Sequence, residues 1–307
     1  GNLTFLQLAA GYIVGRIVVS TLFIPAYFRG ELVTSYQLLQ QTFGPRVTQL
    51  SAGLFLVTRS LADGIRLFAT SLVISVVTGV PTAWSTLIVG VIMIVYTVRG
   101  GVAAVIWTDV VQMFIYAAGA GIVAWSLLDK IPGGWDEVVR AGAAAGKFQV
   151  LDFSMNTTSV YTVWTGLLGG VALTLATHGT DQFLVQRLLA ATSARAAATG
   201  LVLSGFVVFV QFILFLLIGV MLFTFHQHVP LEAPLARTDQ VLPHFVVTYL
   251  PSGIAGFIVA AIVAAALSPS LNAMAATTLN DFYRPRHHSA LDETPLLSLS
   301  RRITTFW

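Results

Sequence analysis

The sequence predicts an all-α integral membrane protein, a bundle of seven transmembrane helices. Of its 307 residues, 56% are hydrophobic and only 9% are charged, and the mean hydropathy is +0.83. A soluble domain carries about 25% charged residues. Apolar runs of about 17–25 residues recur at loop-sized intervals, which is typical of transmembrane helices, whereas outer-membrane barrels show short alternating segments. The chain has no cysteine, so disulfides and thiolate metal sites are excluded.

The seven spans follow one another with short connections. They are predicted at residues 5–27, 50–78, 83–98, 100–129, 161–189, 196–225 and 253–279. Pro81-Thr82 and Arg99-Gly100-Gly101 are expected to form turns, and Gly169-Gly170 to interrupt the fifth span.

Two connections carry structure of their own. Thr34-Ser35-Tyr36 is predicted to begin a short interfacial helix, because serine and threonine favour helix N-caps. The longest polar stretch, residues 130–158, is expected to be an extracellular loop with a short helix over 135–145.

Lysine and arginine residues predict the orientation. One side of the spans collects Arg29, Arg46, Arg99, Arg187, Arg195, Arg284, Arg286, Arg301 and Arg302, and the other only Lys130, Arg140, Lys147 and Arg237. Cytoplasmic loops carry the excess of positive charge, so residue 1 is expected outside and residue 307 in the cytoplasm, in a plasma (inner) membrane. This bias, rather than nucleic-acid binding, accounts for the net charge of +3. A chain that begins outside needs an earlier span or a cleaved signal, so we expect a fragment of a longer protein.

Asp109 is the carboxylate that the sequence singles out, because it lies inside an apolar span. An ionisable group at membrane depth costs about 2.5–3.5 kcal/mol and usually marks an ion or proton path. In the second span, Arg59, Asp63 and Arg66 share one helix face at spacings of four and three residues. They predict a structural ion cluster, with a transport role as the alternative.

Ser268-Pro269 predicts an oxygen site in the seventh span. A proline inside a helix cannot donate to the carbonyl four residues back, which here belongs to Ala265. That carbonyl and the Ser268 hydroxyl could bind a hard cation such as Na⁺, which prefers oxygen ligands, with Asp109 as the balancing charge. A simple proline kink is an equally good interpretation of these residues alone.

Three blocks of sequence resemble the sodium:solute symporter family. The first is Gly100-Gly101-x-x-Ala104-Val105-Ile106-Trp107-Thr108-Asp109-x-x-Gln112, the second is Gly179-Thr180-Asp181-Gln182-x-x-Val185-Gln186-Arg187, and the third runs from Leu250-Pro251-x-Gly253 through Ser268 and Asn272 to Asp281-Phe282-Tyr283-Arg284. They occur in the family's order across nearly the whole chain.

The resemblance implies a leucine-transporter-type fold with inverted repeats and alternating access driven by sodium. Residues 1–307 would form one partial transporter domain that spans the second through eighth core helices. The first core helix, which supplies backbone sodium ligands, and the C-terminal helices would be missing. Without the first core helix, this chain is not expected to transport.

The resemblance also assigns a sodium site, from which this chain departs. Aligned forward from Leu250, Ala265 matches the carbonyl position and Ser268 the first hydroxyl position, and Pro269 replaces the second. Aligned backward from Asn272, the two hydroxyl positions fall on alanines. Asp109 and Ser270 are then expected as substitute ligands, near a second cation position known in some relatives.

The remaining candidates are polar groups in the fifth and sixth spans. Asp181 lies near Arg187 and the cytoplasmic end, so a salt bridge or gate is expected there. His178 titrates near neutral pH, which makes proton coupling an alternative to a structural hydrogen bond. Thr174, Thr177 and Gln211 are candidate substrate or helix-packing contacts.

These features together predict cation-coupled symport of a small organic solute. The expected coupling ion is Na⁺. Sugar relatives place an Asn and a Tyr before the second motif, where this chain has threonines, so a sugar is disfavoured. The alternative is the transporter-like sensor region of a signalling protein. An enzyme is not expected, because the sequence has no metal-binding histidine motif and no nucleophile elbow. The expected partners are the solute, Na⁺ and the lipid bilayer, with no nucleic acid.

Overall fold

Helices form every regular element in the residues that the computed structural model describes, which are 2–29, 34–156, 158–159, 161–231, 238–266, 270–286 and 293–307. The α-helices are α1 (Phe5–Val18), α2 (Ile24–Phe28), α3 (Ser35–Phe43), α4 (Pro45–Thr78), α5 (Thr82–Lys130), α6 (Gly134–Ala144), α7 (Val163–Thr174), α8 (Gln182–Leu189), α9 (Ala194–His228), α10 (Val241–Tyr249), α11 (Ser252–Ala266), α12 (Leu271–Thr277) and α13 (Glu293–Phe306). Wider π-helical turns lie at Val19–Phe23, Leu175–Thr180 and Thr278–Tyr283, and 3₁₀ turns at Thr238–Gln240 and Arg284–Arg286. The prediction of an all-α fold is confirmed.

Within the described residues, three helices are long and apolar enough to cross a membrane. They are Phe5–Phe28, Ile106–Lys130 and Ala194–His228, and two shorter apolar helices cover Thr82–Val95 and Ser252–Ala261. The helix Phe5–Phe28 consists of α1 and α2, which are joined by a π-helical turn just before Pro25. A proline ring clashes with the carbonyl four residues back, and one wide turn relieves that clash without ending the helix.

The first and fifth predicted spans cross at glycines. A side chain at Gly11 would place its Cβ 2.6 Å from the carbonyl oxygen of Leu167, and one at Gly170 would meet the carbonyl oxygen of Leu8. Small residues let two helix backbones approach closely. The contact between α1 and α7 therefore depends on glycine in both helices.

The predicted turn at Arg99-Gly100-Gly101 is wrong. Helix α5 continues through these residues for 49 residues in all, and neither glycine is among those with a positive φ. Glycine lowers helix stability by only about 1 kcal/mol, which long apolar flanks on both sides outweigh. The turn at Pro81 is confirmed, because α4 ends at Thr78, its C-cap Gly79 has φ 71°, and α5 begins directly after the proline.

The predicted interruption of the fifth span at Gly169-Gly170 is also wrong, because both glycines lie inside α7. The break comes later: a π-helical turn ends at Thr180, and Asp181 is extended, with ψ 117°. These glycines serve helix packing, and the chain direction changes where Asp181 caps the next helix.

The predicted seventh span contains α11 and α12. Helix α11 is described as far as Ala266 and α12 from Leu271 onwards. The predicted kink at Ser268-Pro269 lies outside the described residues and stays a prediction. The largest core cluster lies between α5, α9, α10 and α11 around Phe225 and Phe245, whose rings meet edge to face at 5.1 Å.

Candidate functional site

Charged side chains from α4, α5 and the start of α8 form two groups of ion pairs. The pairs are Arg59–Asp63 at 3.5 Å, Arg59–Asp181 at 3.8 Å, Arg66–Asp63 at 3.9 Å and Arg187–Asp109 at 2.6 Å. We call these six residues the charge network. It contains three cations and three anions, so the described residues balance its charge. The ion cluster predicted on one face of α4 is confirmed as part of it.

Phe183 joins the two halves of the charge network. Its ring lies between two guanidinium groups, with the Cζ of Arg59 3.9 Å and that of Arg187 4.0 Å from the ring centroid. A guanidinium over an aromatic face is attracted by the negative charge of the ring face. The two arginines, which would otherwise repel each other, are therefore held on either side of one ring.

Asp181 positions α8 within the charge network. Its carboxylate accepts a hydrogen bond from the backbone N–H of Phe183 at 2.8 Å and so caps the helix. Asp181 also forms an ion pair with Arg59 at 3.8 Å, and the expected pairing with Arg187 stays a prediction. An N-cap side chain points back over the first turn of its own helix. An open cavity of about 380 Å³ reaches Asp181 between α3, α4 and the π-helical turn at Leu175–Thr180.

Asp109 has a protein cation as its partner. The Nη2 of Arg187 donates to its Oδ2 at 2.6 Å, and both side chains are about one quarter exposed. Helix α5, which carries Asp109, packs against both α11 and α12. The carboxylate therefore lies on a helix next to the predicted oxygen site.

Ser270 is the predicted sodium ligand that the structure describes most fully. It is fully buried at the N-cap of α12, and its hydroxyl has no hydrogen-bond partner among the described residues. Ala265 lies in α11, one residue before the described part of that helix ends. A buried hydroxyl without a partner is costly, so the Ser270 hydroxyl fits a hard cation that takes oxygen ligands.

Asp281 is a buried carboxylate whose environment the sequence did not indicate. It is 3% exposed and lies beyond the end of the predicted seventh span. Its Oδ1 accepts a hydrogen bond from Thr34 at 2.8 Å, whereas its Oδ2 has no partner among the described residues. Burial raises the pKa of Asp281 to about 6, and the hydrogen bond from Thr34 partly opposes that rise. The hydrogen bond from Thr34, 247 positions earlier in the sequence, could not be read from the local pattern.

His178 contacts Arg16 of α1. The Nε2 of His178 lies 3.4 Å from the Nη2 of Arg16, and its Nδ1 lies 2.9 Å from the hydroxyl of Thr177. A guanidinium has only donors, so Nε2 accepts and the ring proton is on Nδ1. This arrangement requires the neutral imidazole, which favours the structural interpretation of His178 over proton coupling.

The three predicted polar contacts have different surroundings. Thr174 is 2% exposed and packs against Gly15 of α1, which is a helix-packing contact. Thr177 donates its hydroxyl proton to the carbonyl of Leu173 at 2.8 Å. Gln211 accepts a hydrogen bond from Tyr116 at 3.3 Å, beside an apolar cavity of about 190 Å³ between α5, α9, α10 and α11.

Comparisons with known proteins all identify sodium-coupled transporters, and each match covers most of the chain. The model of the sodium:solute symporter family matches residues 2–305. The sequence is 29% identical over 304 residues to the sodium/iodide cotransporter of Homo sapiens, covering 94% of this chain and 46% of that protein. It is 31% identical over 288 residues to the sodium-dependent multivitamin transporter of Oryctolagus cuniculus, covering 89% and 44%. For sodium-coupled monocarboxylate transporter 1 of Homo sapiens the identity is 27% over 299 residues, covering 95% and 48%.

A solved structure shares the fold. It is the substrate-bound, outward-open state of a Na⁺-coupled sialic acid symporter, with a TM-score of 0.92 and 26% sequence identity. The match covers all of this chain and 66% of that one. The predicted fold is confirmed, and the chain spans slightly less than half the length of the three relatives above.

Proposed function

Because the chain belongs to the sodium:solute symporter family, we propose that it forms part of a sodium-coupled transporter that moves a small organic anion by alternating access. The observation that carries this proposal is the structural match over the whole chain to a Na⁺-coupled symporter, at a TM-score of 0.92. The family and the relatives are transporters, which supports a non-enzymatic role. We place the protein in the plasma membrane with residue 1 outside and residue 307 in the cytoplasm, the orientation that the loop charges predict if the two apolar segments of α5, Thr82–Val95 and Ile106–Lys130, each cross the membrane.

The names of several relatives support an anionic solute. One relative is named for iodide, one for monocarboxylates, and the solved symporter for sialic acid. Iodide, monocarboxylates and sialic acid all carry a negative charge at neutral pH. An anionic solute moving with Na⁺ is also electrostatically favourable, because the ion offsets its charge inside the membrane.

The sodium site of the proposal lies between the described parts of α11 and α12. The carbonyl of Ala265 and the hydroxyls of Ser268 and Ser270 are its oxygen ligands, and Asp109 supplies negative charge. The buried Ser270 hydroxyl without a described partner supports this assignment. Broken helices in membranes expose such groups to ions.

The charge network is the cytoplasmic gate of the proposal. Asp181 and Arg187 lie at the end of the fifth span that the loop charges assign to the cytoplasm, and His178 lies one turn earlier. In the outward-facing state the ion pairs hold α4, α5 and α8 together; opening inward requires that they separate. Sodium drives the cycle only if the outward-facing state binds it more tightly, since an ion bound equally by both states shifts nothing.

Sodium-dependent uptake by the full-length protein in proteoliposomes tests the proposal. We expect uptake of labelled small carboxylates to require an inward Na⁺ gradient. Ser270→Ala should raise the Na⁺ concentration for half-maximal uptake by about tenfold, the equivalent of about 1.4 kcal/mol. Ser71→Ala is the matched control, because Ser71 is also fully buried but its hydroxyl bonds the carbonyl of Leu67 within α4.

The outcomes separate the parts of the proposal. If the uptake of every solute tested is independent of the Na⁺ gradient, sodium coupling is refuted. Unchanged sodium dependence in Asp109→Asn would remove that carboxylate from the site and leave the transporter assignment standing.

A further inference from the structure

An open groove of about 430 Å³ lies between α9 and the π-helical turn at Val19–Phe23. The residues that line it are Ser20, Ala198, Thr199, Val202, Leu203 and Phe206. Only Ser20 and Thr199 among them have polar side chains, and the Ser20 hydroxyl already donates to the carbonyl of Ile17 at 2.8 Å. The groove therefore offers an almost wholly apolar surface, and it belongs neither to the charge network nor to the proposed sodium site.

The groove follows one face of α9, and Arg195 lies on the same face. The lining positions in α9 come three, four, seven, eight and eleven residues after Arg195, which is the spacing of a single helix face. A helix rises 1.5 Å per residue, so Phe206 lies about 16 Å along the axis from Arg195. One leaflet contributes about 15 Å of the hydrocarbon core of a bilayer. The groove thus has the length of an acyl chain in a single leaflet.

Two arginines lie at the same end of the groove, one from each side of it. Arg29 directly follows α2, and Arg195 is the second residue of α9. Their neighbours Phe28 and Ala194 pack against one common core cluster, which brings the two helix ends together. Both arginines are exposed, and none of the ion pairs between described residues includes either one. This end of the groove therefore carries two positive charges without a counter-charge among those residues.

The arginine side chains can reach the polar surface of the membrane from this position. Side chains on a helix lean towards its N-terminus, and for Arg195 that direction leads out of the bilayer. An arginine keeps its apolar stem along the protein while its guanidinium stays in the headgroup region. A guanidinium binds phosphate oxygens through paired hydrogen bonds. The groove and its two arginines therefore complement a molecule that has both an acyl chain and a phosphate.

We propose that this groove binds an anionic phospholipid of the adjacent leaflet. One acyl chain lies along Val202 and Phe206, the glycerol esters lie next to Thr199, and the phosphate accepts hydrogen bonds from Arg29 and Arg195. A zwitterionic phospholipid offers the same chain, but its own cation competes with the arginines for the phosphate. Both leaflets of a membrane contain phospholipid, so the proposal depends neither on the orientation of the chain nor on the proposed transport.

Thermal unfolding of the purified full-length protein in mixed detergent micelles tests the proposal. Dioleoylphosphatidylglycerol is titrated in parallel with dioleoylphosphatidylcholine, which has the same chains and a zwitterionic headgroup, and with inorganic phosphate. A ligand that binds only the folded state raises the melting temperature in a saturable way. We expect this rise at an at least fivefold lower concentration of phosphatidylglycerol than of phosphatidylcholine. Inorganic phosphate at equal ionic strength should cause no such rise, because it has no chain to fill the groove.

Two variants test the recognition of the headgroup. Arg195→Gln and Arg29→Gln should each weaken the binding of phosphatidylglycerol about fivefold, since an arginine near the membrane surface contributes about that factor to the attraction of anionic lipid. The binding of phosphatidylcholine should not change. Arg46→Gln is the matched control, because Arg46 is also exposed but lies at the start of α4 and does not line the groove. It should keep the full preference for phosphatidylglycerol.

A third variant tests the groove itself. Thr199→Trp places an indole in the groove, and the exposed position of Thr199 lets the helix accept the larger side chain. We expect the binding of phosphatidylglycerol to weaken about tenfold. The matched control is Val210→Trp, because Val210 is 64% exposed in the same helix but does not line the groove. This control should bind the lipid as the wild type does.

Each result decides the proposal. Equal affinity for the two phospholipids would overturn it, as would a preference that persists when both Arg29 and Arg195 are replaced or that Arg46→Gln abolishes equally. Unchanged lipid binding by Thr199→Trp would also overturn it. Native mass spectrometry counts the phosphatidylglycerol molecules bound to each variant, so a variant of lower stability still gives a result. The measurements involve no uptake, so their failure leaves sodium coupling untouched, and a loss of sodium coupling leaves the lipid site unaffected.

Discussion

Arg187 donates a hydrogen bond of 2.6 Å to the carboxylate of Asp109, although the two residues are 78 positions apart in the sequence. This contact ties α5 to α8. It also means that the carboxylate proposed for sodium binding already has a positive partner. Sodium and the guanidinium must therefore share Asp109 or exchange on it, which would couple ion binding to the charge network.

The pair of Asp109 and Arg187 should show energetic coupling. We expect the single variants Asp109→Asn and Arg187→Gln each to destabilise the protein, and the double variant to lose about 1 kcal/mol less than their sum, because the second change removes a charge that the first left unpaired. Chemical unfolding of the four proteins in detergent measures this. Additivity within about 0.3–0.5 kcal/mol would mean that the contact contributes little.

Phe183 should require an aromatic ring. Phe183→Leu retains apolar volume but loses the interaction with both Arg59 and Arg187, and we expect a loss of about 1–2 kcal/mol in stability. Phe183→Tyr keeps the ring face and serves as the control. If the leucine and tyrosine variants unfold at the same denaturant concentration, the contacts of the two guanidinium groups with the ring do not contribute to stability.

Two adjacent glycines in α7 should respond differently to alanine. A Cβ at Gly170 would overlap the backbone of α1, while a Cβ at Gly169 would meet only the Cδ1 of Leu8, at 3.9 Å. Alanine favours a helix over glycine at both positions. Gly170→Ala should therefore lower the melting temperature by several degrees, the equivalent of about 1–3 kcal/mol, and Gly169→Ala should leave it unchanged or raise it. The reverse order would contradict the close crossing.

Asp281 should make stability depend on pH. Its pKa is raised by burial to about 6 in the folded protein, against about 3.9 for an unperturbed aspartate, so the folded state binds the proton more tightly. The contribution of Asp281 to stability is therefore most favourable below pH 4 and falls as the pH rises through 6. The free energy of unfolding is therefore lower above pH 6 than below pH 4 by about 3 kcal/mol from this residue.

The variant Asp281→Asn separates the pH-dependent contribution of Asp281 to stability from those of the other carboxylates. Melting temperatures of the wild type and the variant are compared from pH 5 to 7.5. The wild type should lose stability relative to the variant across this range, and a constant difference would show that Asp281 keeps an ordinary pKa.

The sequence by itself determined the helical membrane fold. Apolar runs long enough to cross a bilayer leave the backbone only one way to satisfy its hydrogen bonds within a segment, which is a helix. Local chemistry also located the start of α3 at Ser35 after Thr34 and the turn after Gly79 at Pro81. The ion cluster of Arg59, Asp63 and Arg66 followed from helical spacing alone.

The sequence could not determine which residues meet across helices. Gly100 and Gly101 carry the local signal of a turn, and Gly169 and Gly170 that of a break, yet all four are helical. A glycine permits a turn but does not require one, so the choice depends on what packs beside it, as Leu8 packs against Gly170.

Only the tertiary structure decided the partners of the charged groups. Asp109 meets Arg187, Asp181 meets Arg59, and Arg16 meets no carboxylate among the described residues. Charges in a low-dielectric interior interact over distances set by helix packing, and that packing joins residues far apart in the sequence. The sequence shows that a buried charge needs a partner, and only the arrangement of the helices determines which one it has.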